Sequence, residues 1–162
     1  MISEKINLDT APDFSLPGID ESGNQLDYTL EELLFRGKLL VIYFYPKDDT
    51  PGCTLEACDF RDNIGELKKI ATVVGVSADS IESHKKFQKK YGLPFPLLSD
   101  PDKKIIKAYK AFGKKNMYGR IVQGIMRSTF IVGQQGKILK QWNKISAKGH
   151  VAEVIDELKK MK

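Results

Sequence analysis

The amino-acid sequence predicts a three-layer α/β fold in which a central mixed sheet is flanked by helices. Continuous apolar, β-branched runs at 39–45 and 72–77 are typical of strands that are buried on both faces. A helix-like stretch follows each run, and a strand pair at 128–142 precedes a closing amphipathic helix. Strands that alternate with helices pair in parallel through right-handed crossovers, and the strand pair makes the sheet mixed.

The first elements of the chain are predicted to be short. Residues 1–24 are expected to be loop-rich, because proline and glycine punctuate them. A short strand is predicted at 25–28. Thr29 has the position of a helix N-cap, with acidic residues in the first turn, and Gly37 suits the end of that helix.

The first buried strand, 39–45, ends at Pro46, and a loop leads from it into the next helix. Thr50 and Pro51 mark the start of this helix, because a hydroxyl at the N-cap and a proline at the first helical position favour initiation. Apolar residues keep helical spacing to about Ile70, where we expect the helix to end.

The second buried strand, 72–77, leads into a helix that Ser80 is expected to cap and Gly92 to end. Residues 95–98 predict a short edge strand or a turn, because proline is poorly tolerated in a central strand. A short helix is expected at 103–111.

The last predicted elements are a hairpin with strands at 128–132 and 137–142 and a helix from about residue 149. This order is the thioredoxin-like arrangement. We expect one domain over residues 1–162, with an N-terminal extension and an inserted segment at about 93–125.

Composition argues against nucleic-acid and membrane roles. The chain carries 26 Lys and Arg against 21 Asp and Glu, a net charge of +5. The lysines are dispersed among acidic residues without an arginine-rich stripe, which indicates solvated faces. No apolar run approaches the roughly 20 residues of a membrane helix, and residues 1–5 lack the apolar region of a secretory signal. We therefore expect a cytoplasmic protein that binds neither nucleic acid nor membranes.

Cys53 is the candidate nucleophile. It lies in the first turn of a predicted helix, where free N–H groups and the positive end of the helix dipole stabilise a thiolate. A thiolate attacks electrophiles such as a peroxide oxygen, and Gly52 leaves room beside the sulfur for a substrate. Many free cysteines are inert packing residues, but the strand–turn–helix placement favours a reactive one.

The second cysteine, Cys58, follows Cys53 by five residues. On an ideal helix this spacing separates the Cα atoms by roughly 8.6 Å, whereas a disulfide needs about 4.4–6.8 Å. The two cysteines therefore cannot bond while the helix is intact. We hypothesise that the first turns unwind after Cys53 is oxidised.

The two histidines do not predict a metal site or a hydrolase. His84 is expected to be exposed in mid-helix among lysines, and His150 to open the last helix. Neither is adjacent to a carboxylate motif of the kind that orients the histidine of a Cys–His hydrolase. Two cysteines with this spacing and these histidines make a poor zinc site.

At this point the sequence resembles a known family. The motif Pro-x-x-x-Thr-x-x-Cys at 46–53 matches the active-site pattern of peroxiredoxins, and residues 50–62 resemble the bacterioferritin-comigratory protein, or peroxiredoxin Q, subfamily. Residues 127–130 resemble the second active-site segment of the family, and residues 11–14 resemble its N-terminal signature.

The resemblance implies roles for individual residues. Cys53 matches the peroxidatic cysteine and Cys58 the resolving cysteine. Thr50 matches the threonine whose hydroxyl contacts the thiolate and the peroxide, and Pro46 matches the proline that shields the pocket. Arg127 matches the arginine that stabilises the thiolate and orients the peroxide, since a fixed cation stabilises charge that moves to the leaving oxygen.

The resemblance also implies a cycle, with Glu56 as a supporting residue beside the arginine. Cys53 is oxidised to a sulfenic acid, Cys58 condenses with it to an intramolecular disulfide, and thioredoxin or a similar dithiol restores the pair. The cycle implies no metal, haem or flavin cofactor. A monomer is expected, with a dimer as the alternative.

Competing interpretations remain open from the residues alone. A disulfide oxidoreductase of the thioredoxin type carries Cys-x-x-Cys and a cis-proline segment, whereas this chain has Cys-x4-Cys and Arg127. A redox-triggered holdase or a nucleic-acid-binding protein is a non-enzymatic alternative. Apolar residues of the inserted segment can form a pocket rim, core or a dimer contact: Phe95, Phe112, Met117, Tyr118 and Ile121.

Overall fold

A mixed seven-stranded sheet organises residues 8–161, which are the residues that the computed structural model describes. The strands in chain order are β1 Ser15–Ile19, β2 Gln25–Thr29, β3 Leu39–Phe44, β4 Ala71–Ser77, β5 Leu97–Ser99, β6 Phe112–Met117, β7 Arg120–Ile125, β8 Ser128–Val132 and β9 Ile138–Trp142. The sheet has the order β2-β1-β5-β4-β3-β8-β9, and β6 and β7 form a separate hairpin. Strands β3, β4 and β5 run parallel, and the other neighbours are antiparallel.

Helices cover both faces of the sheet, as predicted. They are α1 Leu30–Leu34, α2 Pro51–Asp62, α3 Ile64–Leu67, α4 Ile81–Tyr91, α5 Lys104–Ala108 and α6 His150–Met161. Buried side chains of α2, α3, α4 and α6 share one apolar core, and those of α1 and α5 share the core on the opposite face. None of the helices in the described part of the chain is long and apolar enough to cross a membrane.

Strand β3 lies at the centre of the sheet, and its alternate side chains enter different cores. Val41 and Tyr43 point to one core, whereas Leu40 and Ile42 point to the other. The prediction of a strand buried on both faces is confirmed, because a continuous apolar run suits a strand covered by helices on both sides.

The register of β3 with β8 brings two distant segments together. Phe44 pairs with Ser128 in the antiparallel ladder. Arg127, one residue before Ser128, therefore lies beside the point where the chain leaves β3 at Pro46. Helix α2 starts soon after this exit, so the sheet places both predicted active-site segments at the same end of β3.

Several predicted boundaries are confirmed. Thr29 caps α1 by accepting a hydrogen bond from the Glu32 amide, and Ser80 caps α4 in the same way. Gly92 ends α4 with a left-handed backbone, at φ 61°, which suits glycine at a helix C-terminus. The final helix begins at His150.

Two predictions about the middle of the chain are wrong. The helix expected to reach Ile70 ends at Asp62, and α3 is a separate turn that follows it. Residues 95–98 were expected to form an edge strand or a turn, but β5 lies inside the sheet between β1 and β4. Pro96 is compatible with that place because it precedes β5, and its carbonyl accepts a hydrogen bond from the Gly75 amide.

The N-terminal segment is more ordered than its prolines and glycines predict. Strand β1 contains Pro17 and Gly18 and pairs on both sides. A Cβ at Gly18 would lie 2.7 Å from the carbonyl oxygen of Leu97, so the close approach of the two strands requires glycine there. Residues 1–7 of the predicted loop lie outside the described residues.

The inserted segment folds as the β6–β7 hairpin, which the sequence did not predict, and the helix expected at 103–111 is the shorter α5. The hairpin turns at Tyr118 and Gly119, which both have positive φ, the backbone that two-residue hairpin turns of type I′ require. Phe95 is core, whereas Tyr118 and Ile121 are exposed.

Candidate active site

Cys53 lies at the third residue of α2, in the turn whose backbone N–H groups have no helical partner. Its side chain is only 2% exposed, and both cysteines are free thiols. The sulfur thus lies at a helix N-terminus and away from bulk water. Its removal from water strengthens its electrostatic interaction with any charge placed beside it.

Arg127 supplies that charge. Its Nη2 lies 3.5 Å from Cys53 Sγ, and its Nη1 donates to Glu56 Oε1 at 2.6 Å. One guanidinium thus bridges the first and second turns of α2. The structure also gives a different reason for Gly52 than substrate access, because a Cβ there would lie 3.0 Å from Nη2. Glycine makes room for the arginine.

Glu56 lies behind Arg127 and is fully buried. Its Oε2 accepts no hydrogen bond from any residue that the structure describes. Burial raises the pKa of Glu56 to about 7, although the attraction of Arg127 opposes the rise. A buried carboxylate with one free oxygen is costly, so Glu56 needs its ion pair with Arg127. The same ion pair keeps the guanidinium in place.

Thr50 occupies the N-cap position, but the expectation that its hydroxyl caps α2 is wrong. The side chain makes no capping bond, and Oγ1 donates to the Lys47 carbonyl at 2.8 Å. Because a hydroxyl has a single hydrogen, Thr50 in this geometry can accept a hydrogen bond but cannot also donate one to Cys53.

A cavity of about 510 Å³ brings four of the predicted residues together, namely Pro46, Thr50, Cys53 and Arg127. The β6–β7 hairpin forms another wall of the cavity and adds two apolar residues to it, Met117 and Val122. The cavity therefore has a reactive, cationic side and an apolar side. Of the residues of the inserted segment that were predicted as a possible pocket rim, Met117 lines this cavity.

Lys115 is a cavity residue that the sequence did not single out. Its Nζ donates to the Ile125 carbonyl at 2.8 Å, which holds the ammonium group on the cavity wall. Burial lowers the pKa of Lys115, the nearby Arg127 lowers it further, and Cys53 opposes the change. The lysine lies in a polar strand without a motif, so no local pattern distinguished it from the other lysines.

Cys58 is not part of the cavity. It lies on the same continuous helix as Cys53 and is partly exposed. Partial burial raises the pKa of the Cys58 thiol, although the nearby Arg61 opposes the rise. The helix is intact between the two cysteines, which is the arrangement in which the sequence predicted that they cannot bond.

The prediction for His84 is wrong. The ring is fully buried, and Nδ1 lies 2.7 Å from Asp48 Oδ2, a carboxylate 36 residues away in sequence. His150 is also buried, 2.7 Å from the Thr129 hydroxyl, and burial lowers the pKa of His150 to about 4. Both histidines therefore take part in internal hydrogen bonds.

Asp48, Asp79 and His84 form the one group of potential metal ligands that converges among residues 8–161, with ligand atoms within 4.8 Å of one another. Both nitrogens of His84 and both carboxylate oxygens of Asp48 already have hydrogen-bond partners in the protein. A metal ion would have to break this network, so the residues fit a structural role better.

Known proteins are similar to this chain in sequence and in fold. The AhpC/TSA family matches residues 8–141. Peroxiredoxin Bcp of Bacillus subtilis is 44% identical over 152 residues, which are 93% of this chain and 93% of that protein.

Solved structures agree with the sequence relatives. The crystal structure of a Xylella fastidiosa PrxQ mutant has a TM-score of 0.85 at 36% identity and covers 98% of this chain and 99% of that chain. A structure concerned with the alkyl peroxide reduction activity of the Xanthomonas campestris bacterioferritin comigratory protein has a TM-score of 0.79 at 43% identity, over 90% and 91% of the two chains. The predicted thioredoxin-like arrangement is confirmed by these neighbours. The chain belongs to the AhpC/TSA family, as a peroxiredoxin of the bacterioferritin-comigratory protein or peroxiredoxin Q subfamily.

Proposed function

We propose that Cys53 is the peroxidatic residue of this peroxiredoxin and reduces hydroperoxides in the cavity beneath the β6–β7 hairpin. The observation that carries the proposal is the 3.5 Å approach of Arg127 Nη2 to Cys53 Sγ at the start of α2. A cation and free helix N–H groups beside one sulfur stabilise the thiolate that the reaction needs.

The chemical step is a displacement at oxygen. The Cys53 thiolate attacks the terminal oxygen of the hydroperoxide, an S–O bond forms, and the O–O bond breaks. The proton of the attacked O–H passes to the other oxygen, which leaves as water or an alcohol. The sulfur is oxidised by two electrons to a sulfenate, which takes up a proton from water to become the sulfenic acid. Charge moves from the sulfur to the leaving oxygen in this step.

The surrounding groups suit that movement of charge. The guanidinium of Arg127 is positioned to follow the charge from sulfur to oxygen, because Glu56 fixes it from behind. The Thr50 hydroxyl donates its hydrogen to the Lys47 carbonyl of the loop, so its oxygen can accept a hydrogen bond from the peroxide O–H. Pro46 limits access of water to the same space, and Lys115 adds a second positive charge.

Cys58 is the resolving residue in this account. Its thiol condenses with the Cys53 sulfenic acid to give a disulfide and water. Because one intact helix carries both residues, the disulfide requires that the first turns of α2 unwind. A dithiol then reduces the disulfide by exchange and is itself oxidised. Thioredoxin is the reductant we propose, and the cycle needs no cofactor besides.

The apolar wall of the cavity supports organic hydroperoxides as substrates alongside hydrogen peroxide. Met117 and Val122 offer contact to an alkyl group while the peroxide faces Cys53. The Xanthomonas campestris relative is described by its alkyl peroxide reduction activity, which agrees with this use of the wall. We further propose that the protein acts in the cytoplasm as a monomer, with a dimer as the alternative.

The test compares Cys53→Ser with Cys58→Ser in peroxide consumption coupled to thioredoxin, with hydrogen peroxide and an alkyl hydroperoxide. Cys53→Ser is expected to abolish consumption of both peroxides. Cys58→Ser is the matched control, because it removes a thiol from the same helix but is expected to consume one equivalent of peroxide per Cys53 before it stops. Full activity of Cys53→Ser would overturn the proposed function.

A further inference from the structure

Helix α4 contacts the peroxidatic segment on both sides of the cysteines. On the upstream side its residues hold Asp48 and Asp49, in the loop before α2. On the downstream side, Arg61 Nη1 of α2 donates to the Tyr91 carbonyl at 2.7 Å. Residues 50–60 lie between these two anchors, and no hydrogen bond that the structure describes joins them to α4.

The upstream anchor is a buried network around Asp48, which is 7% exposed. Oδ1 accepts from the Tyr45 hydroxyl at 2.6 Å. Oδ2 accepts from the Ser83 hydroxyl at 2.8 Å and faces His84 Nδ1 at 2.7 Å. Three groups thus hold one carboxylate, and two of them belong to α4.

His84 extends this network into the sheet. Its Nε2 lies 2.8 Å from the Leu98 carbonyl of β5, and a carbonyl can only accept, so Nε2 carries a proton. The second ring nitrogen then shares a proton with Asp48. Because both ring nitrogens are engaged and the ring is fully buried, the side chain links the catalytic loop rigidly to α4 and β5.

The backbone of the loop is fixed at the same residue. The Asp48 amide donates to Asp79 Oδ2 at 2.8 Å, and that oxygen also accepts from the Ser77 hydroxyl at 2.7 Å. Asp48 is therefore held through its side chain by α4 and through its amide by the end of β4.

Asp49 adds an exposed anchor. Its φ of 56° is left-handed, which a non-glycine residue adopts at a cost. Its carboxylate accepts from Lys90 Nζ at 2.9 Å and from the Tyr91 hydroxyl at 2.8 Å. These two contacts with the end of α4 support the backbone turn that directs the chain into Thr50.

We propose that α4 clamps the peroxidatic loop, with Asp48 and His84 as positioning residues that hold Thr50 and Cys53 in the geometry of peroxide attack. The proposal rests on the proposed function of Cys53. The clamp also sets the limits of unwinding, which begins after Asp49 and ends before Arg61. Weakening the clamp slows attack and speeds formation of the Cys53–Cys58 disulfide, because the folded segment loses support.

The sharpest test uses two replacements of His84. Asn places an amide nitrogen where Nδ1 lies and keeps the bond to Asp48, whereas Gln reaches the Leu98 carbonyl and leaves Asp48 without this partner. Rates of Cys53 oxidation are measured by mass spectrometry in a Cys58→Ser background, and rates of disulfide formation with Cys58 present. His84→Gln is expected to slow attack roughly tenfold to a hundredfold and to speed disulfide formation, with His84→Asn closer to wild type.

A second pair of variants tests the exposed anchor without disturbing the core. Lys90→Gln combined with Tyr91→Phe removes both contacts with Asp49 and is expected to shift the two rates in the same directions, by a smaller factor. Lys89→Gln is the control, since Lys89 lies exposed on the same helix, and is expected to leave both rates unchanged.

Amide exchange of residues 46–60 provides a readout that does not depend on peroxidase activity. Faster exchange of this range in His84→Gln than in His84→Asn supports the clamp, even if no variant consumed peroxide and the proposed function failed. Equal exchange in the two variants would overturn the proposed clamp. A His84→Gln variant in which attack and disulfide formation were both slowed to the same extent would also overturn it.

Discussion

Arg127 lies with Nη2 3.5 Å from the sulfur of Cys53, although the two residues are 74 positions apart in sequence. The antiparallel register of β8 against β3 creates this approach, because it places the residue before Ser128 beside the strand exit that leads to α2. The pair joins the two segments that carry the family motif.

Replacement of Arg127 tests the charge beside the sulfur. Arg127→Ala is expected to slow oxidation of Cys53 by about a hundredfold, the usual effect of losing one preorganised donor. Arg127→Lys is expected to recover only part of the rate, because an ammonium group cannot bridge Cys53 and Glu56 as a fork. Stopped-flow rates over pH 5–8 check both; wild-type rates in Arg127→Ala would exclude the arginine from the site.

Replacement of Glu56 tests the buried ion pair through pH. Because burial raises the pKa of Glu56 from 4.5 to about 7, its contribution to stability is full below the unfolded value and is lost as pH rises through the folded one. Glu56→Gln lacks this titration. Its stability relative to wild type is therefore expected to improve between about pH 4.5 and 7, by on the order of 3 kcal/mol. Denaturant unfolding at several pH values checks this; a constant difference would contradict it.

Replacement of Thr50 separates its hydroxyl from its shape. Thr50→Val keeps the volume but loses the bond to the Lys47 carbonyl and the acceptor facing the peroxide. It is expected to reduce the rate of Cys53 oxidation by about a hundredfold. Thr50→Ser keeps the hydroxyl and is expected to retain most of the rate. Equal rates for the two variants would mean that the hydroxyl has no part in attack.

Removal of Cys58 separates attack from recycling. Cys58→Ser is expected to oxidise Cys53 once at the wild-type rate and then to stop, since no thiol of the same helix can condense with the sulfenic acid. Further peroxide then converts Cys53 to sulfinic acid. Intact mass after stepwise addition of peroxide follows these states. Normal steady-state turnover with thioredoxin would assign resolution to another thiol.

The sequence predicted those parts of the fold that have a strong local signal. The buried runs of β3 and β4, the caps of α1 and α4 and the hairpin of β8 and β9 are confirmed. Strand β1 was missed because Pro17 and Gly18 have the composition of a turn. Only the neighbouring strand, whose carbonyl lies against Gly18, explains why glycine is needed there.

The site residues that the sequence missed depend on distant contacts. Lys115 lies in a hairpin whose strands carry polar, exposed residues and therefore lack an apolar alternation. His84 was expected in solvent because lysines flank it, yet its partner Asp48 comes from another part of the chain. Neither the place of Lys115 on the cavity wall nor the contact of His84 with Asp48 corresponds to a sequence spacing that could be recognised before the sheet order was known.

Amide hydrogen exchange of residues 51–60, measured in the dithiol and disulfide forms of the wild-type protein, tests most directly whether this segment is helical when Cys53 attacks and unwound when Cys58 resolves. Protection is expected to be high in the dithiol form and largely lost in the disulfide form, while β3 and β4 stay protected in both. Equal protection of residues 51–60 in the two forms would contradict the proposed unwinding.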